Sequence, residues 1–297
     1  MDKKVSILLD TDIGSDIDDA VCLAYLLSQT RCELVGITTV TGQAMARAML
    51  ADALCRAAGR DDVPIHPGAE TPILVEQKQP NAPQSAVLER WEHREDFKPN
   101  TAVAFMRDVI HSRPGEITLL AIGALTNVGL LFTVDREIPR LLRQMVLMCG
   151  VYTNRMAGAG PTEWNATGDP HATAIVFNAR VQGHTSVGLE VTSRCRLEAE
   201  ECHRQFRGGA LNLVADMAEV WFQASEKITF HDPLAAAVIF EPEICQYQDG
   251  LVEVELKSDR LMGMTHWNPE SQQKPHRIAI EVDPQRFFAH YFGVVRG

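Results

Sequence analysis

Short apolar runs recur along this chain, each closed by an acid, a glycine or a polar turn and then followed by a stretch with helical spacing. The first, Val5-Ser6-Ile7-Leu8-Leu9, predicts a buried strand, and the stretch from Ala20 to Leu27 predicts a helix fed by it. Leu34 to Val40 reads as a second buried strand, and Ala44 to Ala58 as an alanine-rich helix stopped by Gly59. Ile117 to Ile122 and Met145 to Met148 supply further strands, with a helix from about Thr101 to His111 before them and another between them. Asp169-Pro170 opens a helix through Phe177, because aspartate caps free amides and proline suits the first turn. More strands are predicted at Ser186 to Val191, Val252 to Leu256 and Arg277 to Val282. This order predicts an α/β, Rossmann-like fold: a largely parallel, mixed central sheet with helices on both faces. Without an internal repeat or a linker, residues 1–297 read as a single domain. The polar stretch between His66 and Asn100 reads either as a flap over a site or as a surface loop with a short helix.

Composition narrows the partner. The 297 residues are 45% hydrophobic and 23% charged, as in ordinary globular proteins. The net charge of -11 argues against nucleic-acid and anionic-membrane surfaces and points to a small molecule. The opening apolar run is too short for a secretory core and no stretch reaches membrane-spanning length, so a cytoplasmic location is expected. Seven cysteines, odd in number and without C-x-x-C spacing, predict buried thiols in a reduced compartment. Cys195, Cys202 and His203 lack the second close pair that a zinc site needs.

The candidate chemistry lies in the first loop. Asp10, Asp12, Asp16, Asp18 and Asp19 occupy ten consecutive positions immediately after an apolar strand. One or two of them suit a helix N-terminus, which favours acids as caps and as partners of its dipole. Five together repel and raise one another's pKa unless a cation compensates. Clustered carboxylates without a nearby His or Cys match a hard cation, Ca²⁺ or Mg²⁺, and the spacing is not that of an EF-hand. In open α/β sheets the ligand crevice lies at the carboxyl ends of strands, where this loop falls.

The segment ILLDTDIGSDIDDA closely resembles the D-x-D-P-G-x-D-D-A signature of the inosine-uridine-preferring nucleoside hydrolase family, with Ile13 in place of proline and two extra residues. ITTVTG (Ile37 to Gly42), ITLLAIGALTN (Ile117 to Asn127), VLMCGVY (Val146 to Tyr152), EWNATGDPHA (Glu163 to Ala172) and HDPLA (His231 to Ala235) resemble its later strand-end blocks in order. The resemblance implies hydrolysis of ribonucleosides to ribose and free base. It implies that Asp12, Asp19, Asp232 and the carbonyl of Ile122 ligate a Ca²⁺, with Asp12 also the general base and Asp10 orienting the metal shell from behind. Asp18, Glu163 and Asn165 would bind ribose, with Trp164 walling that pocket, and His231 would protonate the departing base. Gln43 stands where many members carry a ribose-binding asparagine, and Asn154 is the candidate for a second one. A homodimer or homotetramer is also implied. The family's H-G-x-x-G segment is absent from Gln77 to Arg94, which leaves the base-recognising side unassigned.

Trp91, Trp164, Trp267 and Phe230 are the aromatics considered for stacking on a base, and His266 or Trp267 in GMTHWN (Gly263 to Asn268) for reaching it. His171, His184 and His203 read as surface or packing residues. Two alternatives remain at this level. One is a calcium-dependent nucleoside- or sugar-binding protein without catalysis. The other is a haloacid-dehalogenase-like phosphotransferase, whose D-x-D loop Asp10-Thr11-Asp12 imitates, although Gly14 stands where that family has Thr or Val and the later acids go unexplained.

Overall fold

The computed structural model describes residues 4–153 and 160–296. Its strands are β1 (Val5–Thr11), β2 (Cys32–Thr39), β3 (Ile65–Pro67), β4 (Ile117–Ala121), β5 (Gln144–Met148), β6 (His184–Val187), β7 (Arg196–Glu198), β8 (Lys227–Thr229), β9 (Cys245–Val254), β10 (Thr265–Asn268) and β11 (His276–Val282). The helices of the first half are α1 (Asp18–Ser28), α2 (Ala44–Ala57), α3 (Ala102–Ser112), α4 (Thr126–Val134) and α5 (Ile138–Leu141). Those of the second half are α6 (Trp164–Gly168), α7 (Pro170–Asn178), α8 (Leu189–Thr192), α9 (Ala199–Gln205), α10 (Ala210–Trp221), α11 (His231–Phe240) and α12 (Pro284–Val295).

Among the described residues, nine strands form one sheet in the order β10-β9-β11-β6-β5-β4-β1-β2-β3, parallel from β3 to β11 and antiparallel at β9 and β10. Continuous apolar runs make buried parallel strands because both faces are covered. In β1, Ile7 and Leu9 pack toward α1, α2, α10, α11 and α12, while Leu8 packs toward α3, α4 and α7. The two predicted helix layers are therefore both present. The chain runs outward from β1 in both directions, through β2 and β3 on one side and through β4, β5 and β6 on the other. A crevice opens at such a reversal, where successive connections leave on opposite faces. The register aligns its two walls: Asp10 lies opposite Ala121, and the Ile122 N–H donates to the Asp10 carbonyl at 2.9 Å.

Two predicted strands are corrected. The strand expected over Ser186 to Val191 ends at Val187, and Leu189–Thr192 is a helical turn. Gly188 makes the change of direction: a Cβ there would lie 2.8 Å from the Gly150 carbonyl and 2.7 Å from a Glu190 carboxylate oxygen. The strand expected at Val252 to Leu256 stops at Val254, the end of the longer β9, whose first half, with exposed Gln246, Gln248 and Asp249, carries no apolar run to reveal it. The polar segment after β3 holds a 3₁₀ turn, Pro83–Arg90, and folds back over the carboxylate loop. No helix among the described residues is long and apolar enough to cross a membrane. All seven cysteines are buried and unpaired, as their spacing predicts.

Candidate active site

A cavity of about 440 Å³ lies over the carboxyl ends of β1, β4 and β5, lined by Asp12, Asp16, Asp18, Asp19 and Asp232 on one side and Glu163, Trp164 and Asn165 on the other. Ile122, Met148, Leu189, Trp221 and His231 complete most of the wall. Two helix starts bring the acids together. Asp18 and Asp19 open α1 and Asp232 lies in the first turn of α11, where peptide dipoles favour negative charge. The Asp232 N–H donates to Asp18 Oδ2 at 3.1 Å, and the Thr11 hydroxyl donates to Asp19 Oδ1 at 2.5 Å. Oxygens of Asp18, Asp19 and Asp232 lie within 4.8 Å of one another; among the described residues they form the one compact group of potential metal ligands.

Electrostatics shows what this arrangement needs. Burial, followed by the charges of neighbouring aspartates, pushes the carboxyls of Asp18 and Asp232 well above the usual range. Asp19 is pushed up in the same way, by burial first and Asp12 next. The Asp12 carboxyl is raised by burial, against the opposing charge of Arg47. Desolvation thus outweighs the mutual repulsion on which the sequence argument rested. Asp16 rises to about 6, again chiefly by burial. Buried, oxygen-only donors this close together fit a hard divalent cation, which would replace lost solvation with direct coordination.

Behind this group, Asp10 is fully buried. Its Oδ1 accepts from Thr38 Oγ1 (2.6 Å) and Asn127 Nδ2 (2.8 Å), while Oδ2 has no partner. Burial pushes its carboxyl up to about 7 in spite of those bonds. On the opposite wall Glu163 caps α6, accepting from the backbone N–H groups of Asn165 (2.6 Å), Ala166 (3.0 Å) and Gly150 (3.0 Å). The Asn165 amide bridges the carbonyls of Ile122 (2.8 Å) and Met148 (3.0 Å), tying the ends of β4 and β5. Ile122, the candidate carbonyl ligand, is therefore held in place by a candidate ribose contact. Thr192 Oγ1 lies 2.7 Å from His231 Nδ1, and burial, then the charge of Arg196, pulls that imidazole down to about 4.

Of the other candidates, Trp164 alone among the described residues lines the cavity. Gln43 is exposed with a left-handed φ of 59°, accepts from the Ala82 N–H at 2.7 Å and is not part of the cavity lining. Asn154 lies outside the described residues. Trp164, half exposed, lines the cavity and donates from Nε1 to Gln79 at 2.8 Å. Phe230 is fully buried among Phe287, Phe288 and Tyr291. Trp267 packs edge-on to Tyr152, and Trp91 bonds Asp216. The aromatic missed in the sequence is Trp221, at the end of α10, which lines the cavity and belongs to none of the recognisable motifs. Arg47 was missed as well: α2 also carries Arg56, which pairs with Asp52 at 2.7 Å, and nothing local in the sequence tells the buried arginine from the ion-paired one.

The flap lies directly on the carboxylate loop. Gln84 N–H donates to the Gly14 carbonyl at 3.0 Å and its amide to the Ser15 carbonyl at 3.1 Å. Two glycines permit this approach: a Cβ on Gly42 would lie 2.5 Å from the Pro80 backbone, and one on Gly14, whose φ is +118°, 3.1 Å from the Ala82 side chain.

The family model described as inosine-uridine preferring nucleoside hydrolase matches residues 7–289. The non-specific ribonucleoside hydrolase RihC of Salmonella enteritidis is 31% identical over 305 residues, covering 97% of this chain and 96% of its own. Uridine nucleosidase 1 of Arabidopsis thaliana is 27% identical over 310 residues, covering 95% and 90%. A purine-preferring ribonucleoside hydrolase from Gardnerella vaginalis shares the fold, with a TM-score of 0.85, 98% coverage of both chains and 23% identity. These matches define an enzyme that hydrolyses N-glycosidic bonds. The chain belongs to the inosine-uridine preferring nucleoside hydrolase family.

Proposed function

We propose that this protein hydrolyses the N-glycosidic bond of ribonucleosides to ribose and free base, with Ca²⁺ as its cofactor. The observation that carries the reading is the meeting, in one cavity, of the buried Asp18, Asp19 and Asp232 with Glu163, Asn165 and His231. Asp12, Asp19, Asp232 and the Ile122 carbonyl would hold the cation and Asp18 a ribose hydroxyl. The tight grouping of Asp18 with Asp19 and Asp232 supports a ligand role for Asp18 too. The cation, when bound, lowers the pKa of water beside the anomeric carbon.

The remaining work belongs to side chains. Asp12 accepts the proton of the attacking water. Glu163, immobilised by three backbone N–H groups, and Asn165 line the ribose side, where negative charge and dipoles favour the positive charge that develops on the sugar as the bond breaks. His231 faces the leaving base. Its depressed pKa makes the ring neutral at pH 7, so it offers the leaving base a hydrogen bond from a ring N–H, not the proton of an imidazolium, and bases that leave poorly depend on that bond most. Trp164 and Trp221 are the aromatic walls available to a base.

Ribose release from a panel of purine and pyrimidine ribonucleosides tests the reading directly. Release is expected with Ca²⁺, with loss in excess chelator and recovery when Ca²⁺ is restored. No release from any member would overturn it, and tight calorimetric binding without product would make the protein a nucleoside-binding module instead. For Trp221→Ala, loss of a stacking surface of about 1 to 3 kcal/mol is expected to raise KM by roughly 5- to 150-fold with a smaller change in kcat. Steady-state kinetics with an unchanged KM for every base would remove Trp221 from base recognition.

A further inference from the structure

Arg47 is a buried cation that the chemistry above does not use. It is the fourth residue of α2 and has no exposed surface. All its hydrogen bonds go to backbone carbonyls: Nε–H to Gly42 (2.8 Å), Nη1 to Asp12 and to Ile13 (3.1 Å), and Nη2 to Asn81 (3.2 Å). Those carbonyls belong to three separate segments: the turn after β2, the carboxylate loop after β1, and the flap. This is an unfavourable place for a positive charge. Burial strips its water, and the start of a helix presents the positive end of the peptide dipoles. The charges of Asp12, Asp19 and Glu70 compensate it from nearby, yet it forms no ion pair among the described residues. What the guanidinium does make is a fork that reaches all three segments at once, which an ammonium group cannot do.

We propose that Arg47 is a positioning residue that locks the flap to the carboxylate loop, so that Gln79 at the cavity wall and Asp12 opposite it keep one spacing. Neighbouring contacts follow the same line. Gly42 and Gly14 admit Pro80 and Ala82 at close range, and the Ala82 and Gln84 N–H groups are bonded to Gln43 and Gly14. Arg47 lies at the junction of these contacts. Only the kinetic arm of the test rests on the hydrolytic reading of the cavity.

The experiment uses the Ca²⁺-loaded full chain. Arg47→Lys keeps the charge and loses the fork. Hydrogen exchange of the flap amides is expected to accelerate by about tenfold or more, with the amides of Leu8 and Leu120 in the sheet unchanged. KM for a hydrolysed nucleoside is expected to rise about tenfold with kcat within about threefold. Unchanged flap exchange overturns the proposal. So does faster exchange throughout the fold with KM unmoved, which is what a merely stabilising residue would give. If the variant does not fold, the unaltered protein decides. Ala82 and Gln84 must then exchange within about tenfold of Ile13 in the carboxylate loop, and a difference of about a hundredfold or more means that the segments open separately. Absence of nucleoside hydrolysis would remove the KM arm alone, so failure of the functional reading and failure of the lock are told apart.

Discussion

Asp12→Asn is expected to lower kcat by about 10²- to 10⁴-fold while leaving Ca²⁺ binding measurable, because the amide keeps an oxygen toward the cation but cannot accept a proton. Asp12→Ala, which removes the oxygen as well, is expected to abolish both turnover and tight Ca²⁺ binding. The contrast depends on this residue's surroundings. Asp12 Oδ1 lies where a Cβ on Gly123 would come within 2.7 Å, so the side chain is wedged against the end of β4 and an isosteric amide fits the same space. Its own backbone carbonyl is held by Arg47, which keeps the loop in place after the substitution. Single-turnover kinetics and calorimetric Ca²⁺ titration of the two variants separate base from ligand. An Asn variant with kcat within tenfold of the unaltered enzyme would shift the proton-accepting role elsewhere, with Asp18 the next carboxylate in the cavity.

Metal removal is expected to make stability fall steeply as pH rises, and Ca²⁺ to flatten that slope. The sign follows from the raised carboxyls. Asp10 titrates near 7 and Asp16 near 6 in the fold, both above the ordinary value of 3.8. Between 3.8 and those values the native state holds protons that the unfolded chain has lost, so stability declines with pH through that window and stays low above it. At about 1.4 kcal/mol per pKa unit, Asp10 alone is worth on the order of 4 kcal/mol. Asp12, Asp18, Asp19 and Asp232, all raised by burial, act in the same direction. Thermal melts from pH 5 to pH 8, with chelator and with saturating Ca²⁺, measure this. A metal-free protein as stable at pH 8 as at pH 5 would show that the acids are solvated in solution and would remove the argument for a compensating cation.

Much of the fold was legible because the strands that build the crevice are buried on both faces. Val5 to Leu9, Ile117 to Ile122 and Met145 to Met148 are apolar runs for that reason, and their ends lie where the acids and strand-end blocks begin. Legibility fails where one face meets water, as in the first half of β9, or where a turn depends on a distant neighbour, as at Gly188 against Gly150. The site divides in the same way. The acids of the first loop and the Glu163, Asn165 and His231-Asp232 blocks are local patterns, readable one at a time. Trp221, Arg47 and the different settings of Gln43 and Trp164 come from long-range packing that no local pattern encodes.

What the sequence determined by itself was the class of fold, the family and the first-loop acids, since periodicity and motif are properties of neighbouring residues. Only the tertiary structure decided which acids meet. α11 brings Asp232 from more than two hundred residues away to Asp18, and α1 turns Asp18 and Asp19 into the same few ångströms. It also decided that burial, more than repulsion, creates the demand for a cation. Desolvation depends on how completely the helices and flap close over the loop, and that closure exists only in the folded chain.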